Sequence, residues 1–203
     1  MRVILSVLIF SFAILSCNQK LLLDKRDGEK YKTVKIGDKV WMAENLAYKP
    51  DSGKYWAYDN DNSKLSVYGY LYEWNAARKV CPTDWHLPSS SDWSALIDDL
   101  GGKEVAASKL KSITGWNNNK NGTNESGFNA FPGGMRADVG WYDGYGNHAN
   151  WFGTSSINNE INLMLMNLSN DGYLTIMDLD TSLVLKKEIL KHNMYASIRC
   201  VKD

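Results

Sequence analysis

The chain has 203 residues, with 23 Lys and Arg against 23 Asp and Glu. Such a balance shows no electrostatic footprint for nucleic acid or for an anionic membrane surface in the total charge. The length suits one domain with a sizeable core, and eight Trp and eleven Tyr beside four Pro favour short strands and aromatic-packed loops over a helical bundle.

The N-terminus carries the most specific motif. In MRVILSVLIFSFAILSC, Arg2 precedes an apolar run from Val3 to Leu15, and the small residue Ser16 stands before Cys17. The run is too short to span a bilayer comfortably and has the shape of a secretory signal. Its Ile-Leu-Ser-Cys ending resembles the bacterial lipoprotein box, in which the cysteine becomes the first residue and carries lipid. The expected organisation is a signal over residues 1–16, a tether over 17–28 and one domain over 29–203. The plainer alternative is an ordinary signal or a short anchor helix. Cleavage removes Arg2 alone among the charged residues and leaves 22 basic against 23 acidic groups.

Three cysteines in an exported chain leave one over. If Cys17 carries lipid, Cys81 and Cys200 remain as a pair in an oxidising compartment, where a disulfide is the expected outcome.

After the tether, Val34 and Ile36 alternate with polar neighbours, as do Val40 and Met42 beyond Gly37-Asp38, which predicts a hairpin around a two-residue turn. The stretch YGYLYEWNAARKV, residues 68–80, reads as a helix with Tyr70, Trp74 and Ala77 on one face. A clearer helix follows: Ser89 and Asp92 make a capping box, Trp93, Leu96, Ile97 and Leu100 repeat at helical spacing, and Gly101-Gly102 stop it. A shorter helical piece carries Ala106, Ala107 and Leu110. From Gly115 to Gly153 the chain is dense in Gly, Asn, Trp and Tyr and reads as long loops. Strands follow at 161–168, 173–179 and 195–201, the first two joined by the turn cluster SNDG. The blurred alternation of INLMLMNL predicts a strand covered on both faces. This is an α+β layout in which first and last strands can pair.

The set GEKYKTVKIGDKVWMAENLAY, YGYLYEWNAARKVCPTDWHLPSSSDW, SKLKS, GFNAFPGGMR and SIRCVKD strongly resembles the Fibrobacter succinogenes major paralogous domain, over about residues 29 to 203. That family occurs in exported lipoproteins of Bacteroidetes and relatives. The resemblance implies a C-type-lectin-like fold related to the formylglycine-generating-enzyme domain, and its cysteine pattern matches Cys81 and Cys200. It departs between Asn150 and Tyr195, where NWFGTSSINN replaces a Trp-Ser-Ser-Thr-like run and TSLVLKKEILKHNM is more apolar than usual. The family has no firmly assigned activity.

Candidate chemistry is thin. His86, beside Cys81 and Asp84, reads as a packed residue before a helix rather than a base. His148 and His192 have no second ligand at metal spacing. Asp59, Asp61 and Ser63 faintly resemble a calcium loop but lack its glycine and distal glutamate. The Asn121, Asn124 and Asn167 sequons reflect Asn-rich turns. Cysteines spent on lipid and bridge leave no thiol for catalysis. No cofactor is expected. The stretch WYDGYGNHANW offers the best binding surface, through Trp141, Tyr142, Tyr145, His148 and Trp151, because aromatic faces beside amides suit a sugar or a protein. The same aromatics would instead cover the core if they are buried. The expected protein is a non-catalytic binding or display module, held by lipid in the outer membrane or at the cell surface, with a glycan or protein ligand. An envelope or polysaccharide-acting enzyme and a purely structural lipoprotein are the alternatives.

Overall fold

The computed structural model describes residues 20–157, 160–178 and 194–203. Cys17, His192, the signal region and most of TSLVLKKEILKHNM lie outside them.

The Gly37-Asp38 turn joins β2 (Lys30–Ile36) to β3 (Lys39–Met42) as an antiparallel hairpin. Gly37 has φ of +59°, and a Cβ there would collide with the Asp99 carboxylate, so glycine is needed for both backbone and space. The hairpin is flanked by β1 (Lys20–Leu23) on one side and by the C-terminal β11 (Val201–Lys202) on the other. The expectation that the two ends of the domain meet is thereby met.

Residues 20–28 are not a free tether. Leu21 and Leu23 pair with Lys32 and Lys30 across β1 and β2. Beyond the strand, buried Asp24 accepts from Arg26 at 2.6 Å, while Arg26 reaches the Val80 carbonyl at 2.8 Å and lies 3.7 Å over the Tyr48 ring. Burial alone would raise the Asp24 carboxyl, but the Arg26 hydrogen bonds hold it below the usual range.

The predicted helix over 68–80 is also corrected. It breaks into α1 (Leu65–Tyr68), β5 (Leu71–Tyr72) and the single turn α2 (Trp74–Ala77), with β5 paired to β4 (Tyr55–Trp56). Gly69 sits at φ +64°, and a side chain there would come within 2.5 Å of the Leu46 carbonyl. Tyr72 then donates its N–H to Ala196 at 2.9 Å, so long-range pairing overrides a local helical spacing.

The helix α3 (Ser90–Asp99) forms as its capping box predicts, and α4 (Lys103–Leu110) follows after Gly101-Gly102. Ser89 N–H donates to Asp92 Oδ2 at 2.8 Å, and Asp92 N–H donates to Ser89 Oγ at 3.2 Å. Lys39 Nζ lies 2.9 Å from Asp92 Oδ1, so this one carboxylate ties helix to hairpin. Burial pushes the Asp92 carboxyl up, yet Ser89 and Lys39 outweigh it and hold the carboxyl below its ordinary range. A depressed folded pKa contributes stability above the unfolded value near 3.8 that is lost as pH falls through the folded pKa. Asp92→Ala is expected to lower stability by about 1–2 kcal/mol at neutral pH, read as a shift of the urea midpoint, and to flatten the pH dependence below pH 4.

The second sheet adds strands to the stretch 115–153, which reads as long loops in the sequence. It contains β6 (Gly133–Arg136), β7 (Tyr142–Tyr145), β8 (His148–Ile157), β9 (Glu160–Ser169) and β10 (Leu174–Asp178), in the order β10-β9-β8-β6-β7. Only the β6–β8 pairing is parallel among these neighbours. As INLMLMNL predicts, β9 is covered on both faces. Met164 and Met166 join a core with α3, whereas Leu163 and Leu165 join a second core around Tyr72, Phe152 and Ile198. The first core centres on Trp41, Trp93, Trp151 and Phe128, with Trp41 and Trp93 ring centroids 4.8 Å apart. The architecture is α+β.

Cys81 and Cys200 are bonded, with Cα atoms 5.8 Å apart and a sequence separation of 119. Beside the bridge, His86 exchanges two backbone hydrogen bonds with Val201, each 2.9 Å. Its ring is 43% exposed and lies 3.4 Å from Asp92, less packed than the sequence suggests. Next along the chain, Arg199 is fully buried. Its guanidinium donates to Asn45 Oδ1 at 2.8 Å, to the Asn129 carbonyl at 2.9 Å and to the Phe128 carbonyl, and it stacks 4.2 Å over the Phe128 ring.

Candidate binding face

The predicted binding residues fall into three places. Along β7, Tyr142 and Tyr145 stand against Tyr58, with ring centroids 4.8 and 5.0 Å away, and Tyr68 lies 5.3 Å from Tyr145. These four rings form a ridge. Tyr68 and Tyr145 hydroxyls are 3.2 Å apart, and Tyr142 donates to the Ala57 carbonyl at 3.2 Å. Lys64 crosses the ridge 4.9 Å from Tyr145, held there by Asp59 at 2.6 Å. Beneath it, Arg136 stacks 4.0 Å over Trp56 and 5.5 Å from Tyr142. Burial pushes the Tyr58 hydroxyl up to about 12, so it keeps its proton across the physiological range. Tyr145 remains 41% exposed and neighbouring Trp141 55% exposed.

His148 stands in a second place, on the wall of a cavity of about 230 Å³ that also borders β7 through Asp143 and Gly144. Met135, Leu165 and Met177 supply apolar lining, and Asn150 and Asn167 supply amides. Those two asparagines are direct partners in the β8–β9 register. Asn167 Nδ2 donates to Asn150 Oδ1 at 2.7 Å and lies 3.4 Å from His148 Nδ1. Both asparagines line the cavity, and each amide has hydrogen-bonding capacity beyond the one bond that joins them.

Trp151 is in the third place, the core. It is 1% exposed, its Nε1 donates to Asn45 Oδ1 at 3.0 Å, and its ring is 5.6 Å from Trp93. Strand alternation sends His148 and Asn150 to one face of β8, and Ala149 and Trp151 to the other. Trp151 is therefore removed from the predicted surface.

A matching family model, the Fibrobacter succinogenes major domain, covers residues 34–202. The chain belongs to this family. No curated protein and no solved structure gives a significant match. Within this Fibrobacter succinogenes major domain, Asn150, Asn167, Tyr58, Tyr68 and Lys64 join the candidate face without being announced by the sequence. Asn167, at the far end of the apolar stretch Leu163–Met166, is the one local signal among them. In the segment YDNDNSK, Asp59 engages Lys64 at the ridge, and Asp61 accepts from Ser63 Oγ at 2.7 Å. Among the described residues no group of three His, Cys, Asp or Glu is placed to hold a metal. No helix among them is long and apolar enough to cross a membrane.

Chemically, the cavity offers paired amides, one imidazole and one carboxylate around an apolar floor, with the flat rings of the ridge beside it. That combination suits hydrogen bonding to hydroxyls with stacking on C–H faces.

Proposed function

We propose that this protein is a non-catalytic binding module of the bacterial cell envelope, with a C-type-lectin-like fold and a lipid on Cys17 that holds it to the outer membrane or cell surface. The ligand class is a glycan. One observation carries the reading: the bonded Asn150–Asn167 pair lines a cavity that borders β7 beside the Tyr58–Tyr145 ridge. Vicinal hydroxyls of a sugar can engage both amides at once, and adjacent residues can lie on the rings. The asparagines sit on paired strands rather than on a loop, which fixes their spacing.

The exposure of Trp141 and Tyr145 favours binding over a purely structural role, in which these rings would lie flush. Glycosidic cleavage generally needs two carboxyl groups across the bond, and the cavity wall offers Asp143 alone among the described residues. Pairing between the β11 end and the N-terminal hairpin, stapled by the Cys81–Cys200 bridge, supports the fold assignment.

A glycan array probed with the purified protein is expected to give a restricted set of positive sugars. Asn150→Ala with Asn167→Ala should abolish the signal, while Tyr145→Ala weakens it roughly 3- to 10-fold, the scale of one lost aromatic contact. Unchanged melting temperatures would show that the variants fold. Silence across the array, or binding indifferent to all three substitutions, contradicts the proposal.

A further inference from the structure

The first sheet ends in an edge whose outward side chains do not suit water. Leu21 and Leu23, two positions apart on β1, point to the same side and are 62% and 50% exposed. Leu22, between them, packs against the second core. Directly across the ladder, Leu21 faces Lys32 and Leu23 faces Lys30, both exposed, with Lys32 lying 3.1 Å from Glu44. Leu23 also borders a groove of about 360 Å³ that contains Trp85, Lys25, Lys202 and Asp84. Leucines beside lysines and a tryptophan are the composition of a headgroup layer contact, in which apolar tips enter the acyl boundary and ammonium groups stay at the phosphates.

Chain length selects the occupant. Asn18 and Gln19 alone separate Cys17 from Lys20, where β1 begins. Three residue steps reach at most about 10 Å when fully extended. With lipid on Cys17, β1 therefore starts in the headgroup layer or within a few ångströms of its outer edge, since that layer is roughly 5–8 Å deep. A strand so close to the bilayer cannot turn its leucines far from it.

We propose that the β1 edge is a membrane-contact surface. Leu21 and Leu23 seat in the headgroup layer of the same leaflet that holds the Cys17 lipid, and Lys30 and Lys25 meet anionic phosphates. The domain is then held in one orientation instead of swinging on a leash. This rests on the lipid-anchor reading above and adds to it a defined face.

The test uses the mature protein purified from its envelope and placed in phosphatidylethanolamine–phosphatidylglycerol nanodiscs, with methyl-labelled leucines. A gadolinium chelate on a fraction of the lipid headgroups should remove the Leu21 and Leu23 methyl signals, while those of Leu96 and Leu110, buried around α3 and α4, persist. Intact mass of the same sample reports acylation. Acylated protein with sharp Leu21 and Leu23 signals overturns the contact surface alone. Unacylated protein overturns the anchor and this surface together. A doubled mass by ultracentrifugation, with those leucines shielded from gadolinium, would assign the edge to a second copy of the chain and also overturn the proposal.

Discussion

Replacing Cys81 and Cys200 together by serine is expected to lower the unfolding free energy by about 4–5 kcal/mol, the loop-closure value for a bridge spanning 119 positions. The bridge joins the last strand region to the stretch before α3, so without it the unfolded chain regains the freedom of more than half the domain. Cys200 is fully buried in the second core, and Met42 N–H donates to its carbonyl at 3.1 Å. The sulfur pair thus also fixes where β11 meets β3. Since domains of this size are stable by about 5–15 kcal/mol, the loss is a large share of the total. Guanidinium unfolding of the oxidised protein, the reduced protein and the double serine variant gives the measurement. The last two should coincide, well below the first. Midpoints that agree within error for all three would mean that the bridge does not hold this fold.

Arg199→Met is expected to be nearly as damaging, at about 3 kcal/mol, with two terms opposed. Removing the guanidinium relieves the desolvation of a fully buried cation, a strain expressed in the downward push on its pKa to about 9. The substitution also orphans the Phe128 and Asn129 carbonyls in the interior, each worth about 1–3 kcal/mol when left unmade. It takes from Asn45 Oδ1 one of two donors, the other being Trp151 Nε1. The orphaned acceptors win. Arg199→Lys should rescue little, because a single ammonium cannot reach acceptors spread around a planar fork. A urea midpoint for Arg199→Met equal to wild type would show that the relieved desolvation matches the lost bonds.

These two residues also show what the sequence discloses. The bridge follows from counting cysteines, and α3 follows from Ser89, Asp92 and the Trp93–Leu100 spacing, because each is a local or combinatorial signal. Arg199 carries no such sign: only the fold brings residues 45 and 128–129 around it. The same holds for β8. Trp151 packs on one side and Phe152 on the other, so the strand shows no alternation and its Asn and Gly read as loop. In residues 68–80, Tyr70, Trp74 and Ala77 keep helical spacing, but the Gly69 backbone and the pairing of Tyr72 with Ala196 decide otherwise.

The binding face divides likewise. Tyr142, Tyr145 and His148 are legible as exposed aromatic and polar groups in one stretch. Asn150 and Asn167 meet only through the β8–β9 register, and Tyr58 and Tyr68 reach the ridge from a segment more than seventy positions earlier. Trp151 misleads because composition alone cannot tell the two faces of a strand apart.

The most direct test of the binding account is a nuclear magnetic resonance titration of the purified protein with the strongest sugar from the array. The side-chain amide signals of Asn150 and Asn167 are expected to shift first, together with those of His148 and Tyr145, with the sugar recovered intact. Shifts confined to other regions, or a cleaved product in the tube, would contradict it.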